Sequence, residues 1–239
     1  AYYSDKERSG AGHDKLTGTS GDDLIDGFGG NDTITGLAGD DILLGGDGND
    51  EIDGGTGKNR LYGDAGDDKI ISSGSVDFVD GGEGNNEITI TSNAAAGTYQ
   101  SGTGNDIYNL EEGYQSRAGS NTLELKSGAG IDIINVNTPI EGGVFNLQEG
   151  NDTINFNKDS YNLSGWERVY GGNGDDTFNQ KVDNRYFDFQ GQQGNDTFNV
   201  SGQGTSNVFY IHGEEGNDSF NIDGYFGDNV NSGLYGGYG

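Results

Sequence analysis

From Gly18 to Thr89 the chain divides into units of nine residues without an insertion, beginning at Gly18, Gly27, Gly36, Gly45, Gly54, Gly63, Ser72 and Gly81. The clearest copy, residues 45–53, reads GGDGNDEID. Its glycines allow a turn whose carbonyls point at one spot through dihedrals that a Cβ forbids. The eighth position of the units holds Ile25, Ile34, Leu43, Ile52, Leu61, Ile70, Val79 and Ile88, apolar throughout in a chain that is only 30% hydrophobic. One apolar side chain marks a very short strand with a single residue facing inward. Such a unit cannot bury itself, so units must stack on one another.

The sixth position reads Asp23, Asp32, Asp41, Asp50, Asn59, Asp68, Asp77 and Asn86. With the glycines and the apolar eighth position, this resembles the RTX nonapeptide, G-G-x-G-x-D-x-U-x, of secreted bacterial proteins. The resemblance implies an all-β fold, a right-handed parallel β-roll or β-solenoid with two nonapeptides per turn. It also implies calcium between neighbouring turns, held by the sixth-position Asp and by turn carbonyls. Among those carbonyls the resemblance points to Gly27, Gly36, Gly45, Gly171, Gly191 and Gly213. Asn59, flanked by Lys58 and Arg60, and Asn86 should be weaker sites. Asp67, a fifth-position residue, should matter little.

Charge supports an ion-dependent fold. Forty acidic against twelve basic residues leave −28 in 239 residues. Stacked carboxylates meet at about one strand spacing, ~5 Å, and repel without a counter-charge. Hard, oxygen-seeking divalent cations are the natural remedy. The sign of the charge excludes nucleic acid as a partner. The absence of cysteine removes disulfides and thiolate metal sites, in keeping with a secreted protein stabilised by ions. No apolar run approaches the ~18 residues that span a bilayer, and a chain that lacks methionine reads as a processed or excised segment.

Past Thr89 the nine-residue spacing stops but the turn returns, as SGTGNDIYN from Ser101, SGAGIDIIN from Ser127, LQEGNDTIN from Leu147 and GGNGDDTFN from Gly171. GQQGNDTFN from Gly191 and GEEGNDSFN from Gly213 complete the set. These turns extend one edge of the roll, whose ladder adds Asp106, Asp132, Asp152, Asp176, Asp196 and Asp218 to the Asp of the early units. The opposite edge should lose calcium after residue 89. Larger core residues (Tyr108, Phe178, Phe198, Phe220) and a second alternating apolar position (Leu110, Val136, Phe156, Val200, Ile222, with Gln180 the exception) predict longer strands and a wider solenoid toward the C-terminus. Asn109, Asn135, Asn155, Asn179, Asn199 and Asn221 share one strand position and predict a stacked amide ladder. The organisation expected is therefore a cap or assembly segment over 1–17, a two-edged roll over 18–89, a widened one-edged solenoid over 90–222 and a Tyr/Gly-rich tail over 223–239. His13 reads as a surface residue, Trp166 as core filler or loop anchor, and His212 as structural.

Acidic pairs such as Asp22–Asp23 and Asp175–Asp176 resemble catalytic carboxylates only in sequence, since strand neighbours point to opposite sides. Two histidines and scattered basic residues assemble no triad or zinc site, so no enzymatic activity is expected. An ice-binding array is excluded by the third turn position, where Thr103 stands among charged and small residues. Two classes remain: an extracellular structural protein that self-associates into a surface layer, sheath or filament, and the calcium-dependent module of a larger type I-secreted toxin, hydrolase, epimerase or adhesin. The first is favoured because aromatic residues flank both ends, Tyr2 and Tyr3 against Tyr225, Phe226, Tyr235 and Tyr238, with the apolar Leu234 beside them. A cell-surface polysaccharide is a further candidate partner at an extracellular location.

Overall fold

The computed structural model describes residues 10–75, 77–91, 97–111, 123–140, 142–158, 166–181, 186–203, 208–225 and 233–238. The strands in chain order are β1 (Lys15–Thr17), β2 (Leu24–Asp26), β3 (Thr33–Thr35), β4 (Ile42–Asp47), β5 (Glu51–Asp53), β6 (Arg60–Ala65), β7 (Lys69–Ser72) and β8 (Phe78–Asp80). Next come β9 (Glu87–Ile90), β10 (Thr98–Gln100), β11 (Ile107–Leu110), β12 (Leu123–Lys126), β13 (Ile133–Val136), β14 (Gly143–Asn146) and β15 (Thr153–Phe156). The last are β16 (Trp166–Asn173), β17 (Thr177–Lys181), β18 (Tyr186–Gln193), β19 (Thr197–Gln203), β20 (Val208–Glu215), β21 (Ser219–Tyr225) and β22 (Gly233–Tyr235). No helix occurs among the described residues.

Odd-numbered strands form one 11-stranded sheet and even-numbered strands a second, each in simple sequence order. All pairings are parallel, so the chain alternates between the sheets and advances one rung every two strands. This is a β-solenoid, as the nine-residue spacing requires. Both sheets run through residue 89 without interruption, β9 pairing with β11 and β8 with β10.

Register places every eighth-position residue of the early units inside: Ile34, Leu43, Ile52, Leu61, Ile70, Val79 and Ile88 are fully buried. Strands grow as expected, from three residues in β2, β3 and β5 to eight in β16, β18 and β20. The longer late strands add a second inward residue, and the added space is filled by rings. Phe178 stacks on Phe198 at 4.6 Å, Phe198 on Phe220 at 5.2 Å, and Phe187 on Phe209 at 5.4 Å. Each fully buried ring contributes about 1.5–3 kcal/mol relative to an exposed one.

The amide ladder is present on the outer face of the odd sheet. Asn135 Nδ2 donates to Asn109 Oδ1 at 3.0 Å, and the pattern continues through Asn155, Asn179 and Asn199 to Asn221, which donates to Asn199 at 2.8 Å. Trp166 opens β16 and lies half-buried against Tyr210, with ring planes 9° apart. His212 stacks on Tyr235 at 4.5 Å.

The two ends depart from the expectation of separate cap and tail segments. Lys15–Thr17 is itself the first strand of the odd sheet, paired with β3. Residues 9–17 read SGAGHDKLT, one more nonapeptide with Ser at its first position. At the other end β22 pairs with β20, and Tyr238 bridges to Glu215 as the third turn position does in earlier rungs. Residues 1–9, 226–232 and 239, among them Tyr2, Tyr3 and Phe226, lie outside the described residues.

Candidate metal centres

Two side-chain ladders run through the turns in opposite directions. At the sixth position, the backbone N–H of each residue donates to Oδ1 of the sixth-position residue one rung later. The series starts with Asp14 N–H on Asp32 (2.7 Å) and passes through Asp50, Asp68, Asn86, Asp106, Asp132, Asp152, Asp176 and Asp196 to Asp218. The second edge repeats it from Asp23 to Asp41, Asn59 and Asp77. At the fifth position the sense reverses: Asp67 N–H donates to Asn49 Oδ1 (3.1 Å) and Asn85 N–H to Asp67 Oδ1 (2.8 Å). Exposed His13 heads this ladder, its Nδ1 accepting the Asn31 N–H at 3.0 Å.

One oxygen of each sixth-position carboxylate is thereby satisfied. The other is not: Oδ2 of Asp32, Asp41, Asp50, Asp68, Asp106, Asp132, Asp152, Asp176 and Asp196 is buried with no hydrogen-bond partner. Buried carboxylates without a counter-charge are costly, and the effect on their acidity is direct. Burial, followed by the neighbouring carboxylates, raises Asp68 to about 7 and Asp176 to about 8. Burial also raises Asp152 to about 7 and Asp106 and Asp196 to about 6. Asp41, Asp50 and Asp132 move the same way for the same reason.

The orphaned oxygens face carbonyls. The point where a Cβ on Gly36 would stand lies 2.5 Å from Asp41 Oδ2 and 2.7 Å from the Gly54 carbonyl oxygen. The corresponding point at Gly18 lies 2.6 Å from Asp23 Oδ2, an oxygen that already accepts the Thr19 N–H at 2.6 Å, and 2.7 Å from the Gly36 oxygen. The two oxygens therefore border one small space beside the glycine, which a side chain at that position would fill. The same pairing of own-unit Asp and next-rung carbonyl recurs at Gly27, Gly45, Gly63, Gly171 and Gly191, with the oxygens of Gly45, Gly63, Gly81, Gly191 and Gly213. No group of three or more His, Cys, Asp or Glu side chains gathers at one point among the described residues. The donor set is thus one carboxylate oxygen with main-chain oxygens, which suits a hard cation such as Ca²⁺. When bound, calcium would supply the positive charge that these rungs lack.

Several positions differ from the sequence expectation. The carbonyls of Gly54, Gly63 and Gly81 join those anticipated, whereas the Gly27 carbonyl accepts the Gly29 N–H at 2.9 Å. Gly171 follows a rung whose first position is Leu147. The rungs of Asp106, Asp132 and Asp152 keep the orphaned oxygen but begin with Ser101, Ser127 and Leu147, so a real Cβ stands at their first position. Asp77 has no orphan: its Oδ2 accepts the Ser72 hydroxyl at 2.6 Å and the Gly74 N–H at 3.1 Å. On that edge the next ladder position is Gly97, where the carboxylates end. Asp14 was overlooked because Ser9 replaces the leading glycine and Lys15 gave the segment a basic character. The spacing of 18 residues to Asp32 is the signal that finds it.

A parallel β-solenoid whose turns hold rows of buried carboxylates facing carbonyl oxygens is a cation-binding repeat protein by construction. Four copies of the RTX calcium-binding nonapeptide repeat match the sequence, at residues 8–43, 26–61, 53–88 and 161–179, so these parts of the chain carry repeats of the RTX kind. Repeats of this family bind calcium and occur in secreted bacterial proteins. No curated protein matches the chain.

Proposed function

We propose that this protein is an extracellular structural solenoid that calcium folds and whose ordered ends join copies into an open filament or layer. The observation that carries the reading is the C-terminal rung. β21 and β22 each pair on one side only among the described residues. Phe220 and Ile222 of β21 are only partly buried, although their counterparts one rung earlier, Phe198 and Val200, are sealed. Beside them Leu234 and Tyr235 are half exposed and Tyr238 is 91% exposed. An unpaired parallel edge with uncovered apolar positions is a seat for another strand, and head-to-tail contacts that do not close give open assemblies.

A catalytic role draws no support from the acidic pairs. In Asp67–Asp68 and Asp175–Asp176 one carboxylate reaches forward to the next rung and the other backward, so both are committed to backbone N–H groups. The alternative, a calcium-dependent module of a larger secreted protein, rests on the company such repeats keep. Sedimentation velocity across a range of protein concentrations separates the two. Growth with concentration in calcium, and none in chelator, is expected; a calcium-loaded monomer at every concentration would favour the module.

A further inference from the structure

Between Asp50 and Asp106 three rungs are built differently from their neighbours. At Asn59 the side-chain amide donates to the Gly54 carbonyl at 3.0 Å and leans on Gly55 O at 3.4 Å. At Asn86 the amide points at the turn carbonyls of Gly84 (3.3 Å) and Gly82 (3.5 Å). The point beside Gly81, which at Gly27 faces Asp32 Oδ2 and the Gly45 carbonyl oxygen, here lies 2.9 Å from Asn86 Nδ2 and 2.8 Å from Ser101 Oγ. At Asp77 the donor is the Ser72 hydroxyl, which also introduces a Cβ at the first position. None of these three residues carries an orphaned oxygen, while Asp41, Asp50 and Asp68 around them all do.

We propose that Asn59, Asp77 and Asn86 form a cation-free joint, in which N–H and O–H donors of the protein stand where calcium stands in the adjacent rungs. The inference rests on the calcium-folding reading above and refines it by assigning which rungs load. An amide offers two N–H groups and a hydroxyl one, enough to satisfy the carbonyls or the carboxylate without an ion and without adding charge. Because Asn59 and Asp77 lie on one edge and Asn86 on the other, the joint crosses the solenoid. On the edge of Asn86 it splits the ion row into a block before and a block after, and on the edge of Asn59 and Asp77 it ends the row. Asp68, whose Oδ2 is orphaned, is the one loading rung inside the joint.

Native mass spectrometry of the calcium-loaded protein reads the assignment directly. Asp77→Asn should leave the number of bound ions unchanged, whereas Asp68→Asn should lower it by one. Ser72→Gly, which takes the hydroxyl from Asp77 Oδ2 and clears the first position, should raise it by one, as should Asn86→Asp. Loss of an ion in Asp77→Asn, or an unchanged count in both Ser72→Gly and Asn86→Asp with the β-sheet circular dichroism retained, overturns the proposal. Failure of the wild-type chain to take up calcium would instead defeat the calcium-folding reading itself, so the two outcomes are distinct.

Discussion

The backbone N–H of Asp50 donates to Oδ1 of Asp68, one rung later, at 2.8 Å, while Oδ2 of Asp68 is buried with no partner. One side chain therefore does two jobs, closing the previous turn and offering charge to an ion. Asp68→Ala removes both and leaves a buried N–H unpaired, so a loss of about 3–5 kcal/mol is expected in calcium. Asp68→Asn keeps the acceptor and gains an amide that can cap turn carbonyls as Asn59 does. It should melt higher than wild type in chelator and lower in calcium. Thermal circular dichroism in both buffers tests the crossing; parallel shifts in the two would sink the dual role.

The fifth position was expected to be a bystander and is not. Asp67 Oδ1 accepts the Asn85 N–H at 2.8 Å and its Nδ2 at 3.0 Å, in an exposed setting. A net hydrogen bond contributes about 0.5–1.5 kcal/mol, so Asp67→Ala should cost that much, with little change in calcium affinity. Calcium titration beside urea unfolding measures both. A loss of affinity as large as that of Asp68→Ala would mean that the fifth position also binds the ion.

The periodic part of the architecture was legible because one spacing fixed several things at once. Ile34, Ile52 and Ile70 recur every 18 residues and lie in register, and the six ladder asparagines share one position of their repeats in the sequence itself. The direction in which side chains reach was not legible. Asp67 and Asp68 are adjacent and chemically identical, yet one bonds forward and the other backward, a consequence of turn dihedrals that sequence does not display. The role of Ser72 was hidden for a related reason. A serine in place of glycine looks like a neutral change until its hydroxyl is seen on Asp77. The two ends were misjudged through composition, since Lys15 and Tyr238 drew attention away from the repeat register they occupy.

Gly36 isolates the space that an ion needs. Its φ lies outside the left-handed region occupied by Gly39 (φ 132) and Gly46 (φ 102), so alanine is compatible with the backbone. The added Cβ would nevertheless stand 2.5 Å from Asp41 Oδ2 and 2.7 Å from Gly54 O. Gly36→Ala should therefore remove about one bound ion while costing less in chelator than in calcium. Equal destabilisation in both media would show that the space serves packing rather than a cation.

Acidity should replace calcium in part. Burial places the folded-state values of Asp68, Asp152 and Asp176 at about 7, 7 and 8, against an ordinary 3.8. Between those limits the folded chain holds protons that the unfolded chain has released. The calcium-free fold is thus most stable at low pH and loses stability as pH rises through this window. Calcium must displace the same protons, so its apparent affinity should rise from pH 6 to pH 8, on the order of the proton occupancy lost. Chelator-treated protein followed by circular dichroism should be more ordered at pH 5 than at pH 8. The opposite trend would mean that these carboxylates are not buried in the calcium-free fold.

Assembly, if it uses the C-terminal rung, should respond to charge placed there. Leu234 is 50% exposed and Tyr238 is 91% exposed, on a chain of net charge −28. Tyr238 joins its rung through the backbone, its N–H donating to Glu214 O at 2.7 Å and its carbonyl accepting the Gly216 N–H at 3.2 Å. Its side chain is therefore free to change without breaking the rung. Exposed substitutions of this kind usually alter stability by no more than about 0.5 kcal/mol. Leu234→Glu combined with Tyr238→Glu removes apolar contact area and adds like charge where a second acidic body would dock. Calcium-induced β-structure should survive in the variant, while its sedimentation coefficient should stop rising with concentration. Unchanged growth would move the contact away from this rung, and loss of the calcium response would assign the two residues to folding instead.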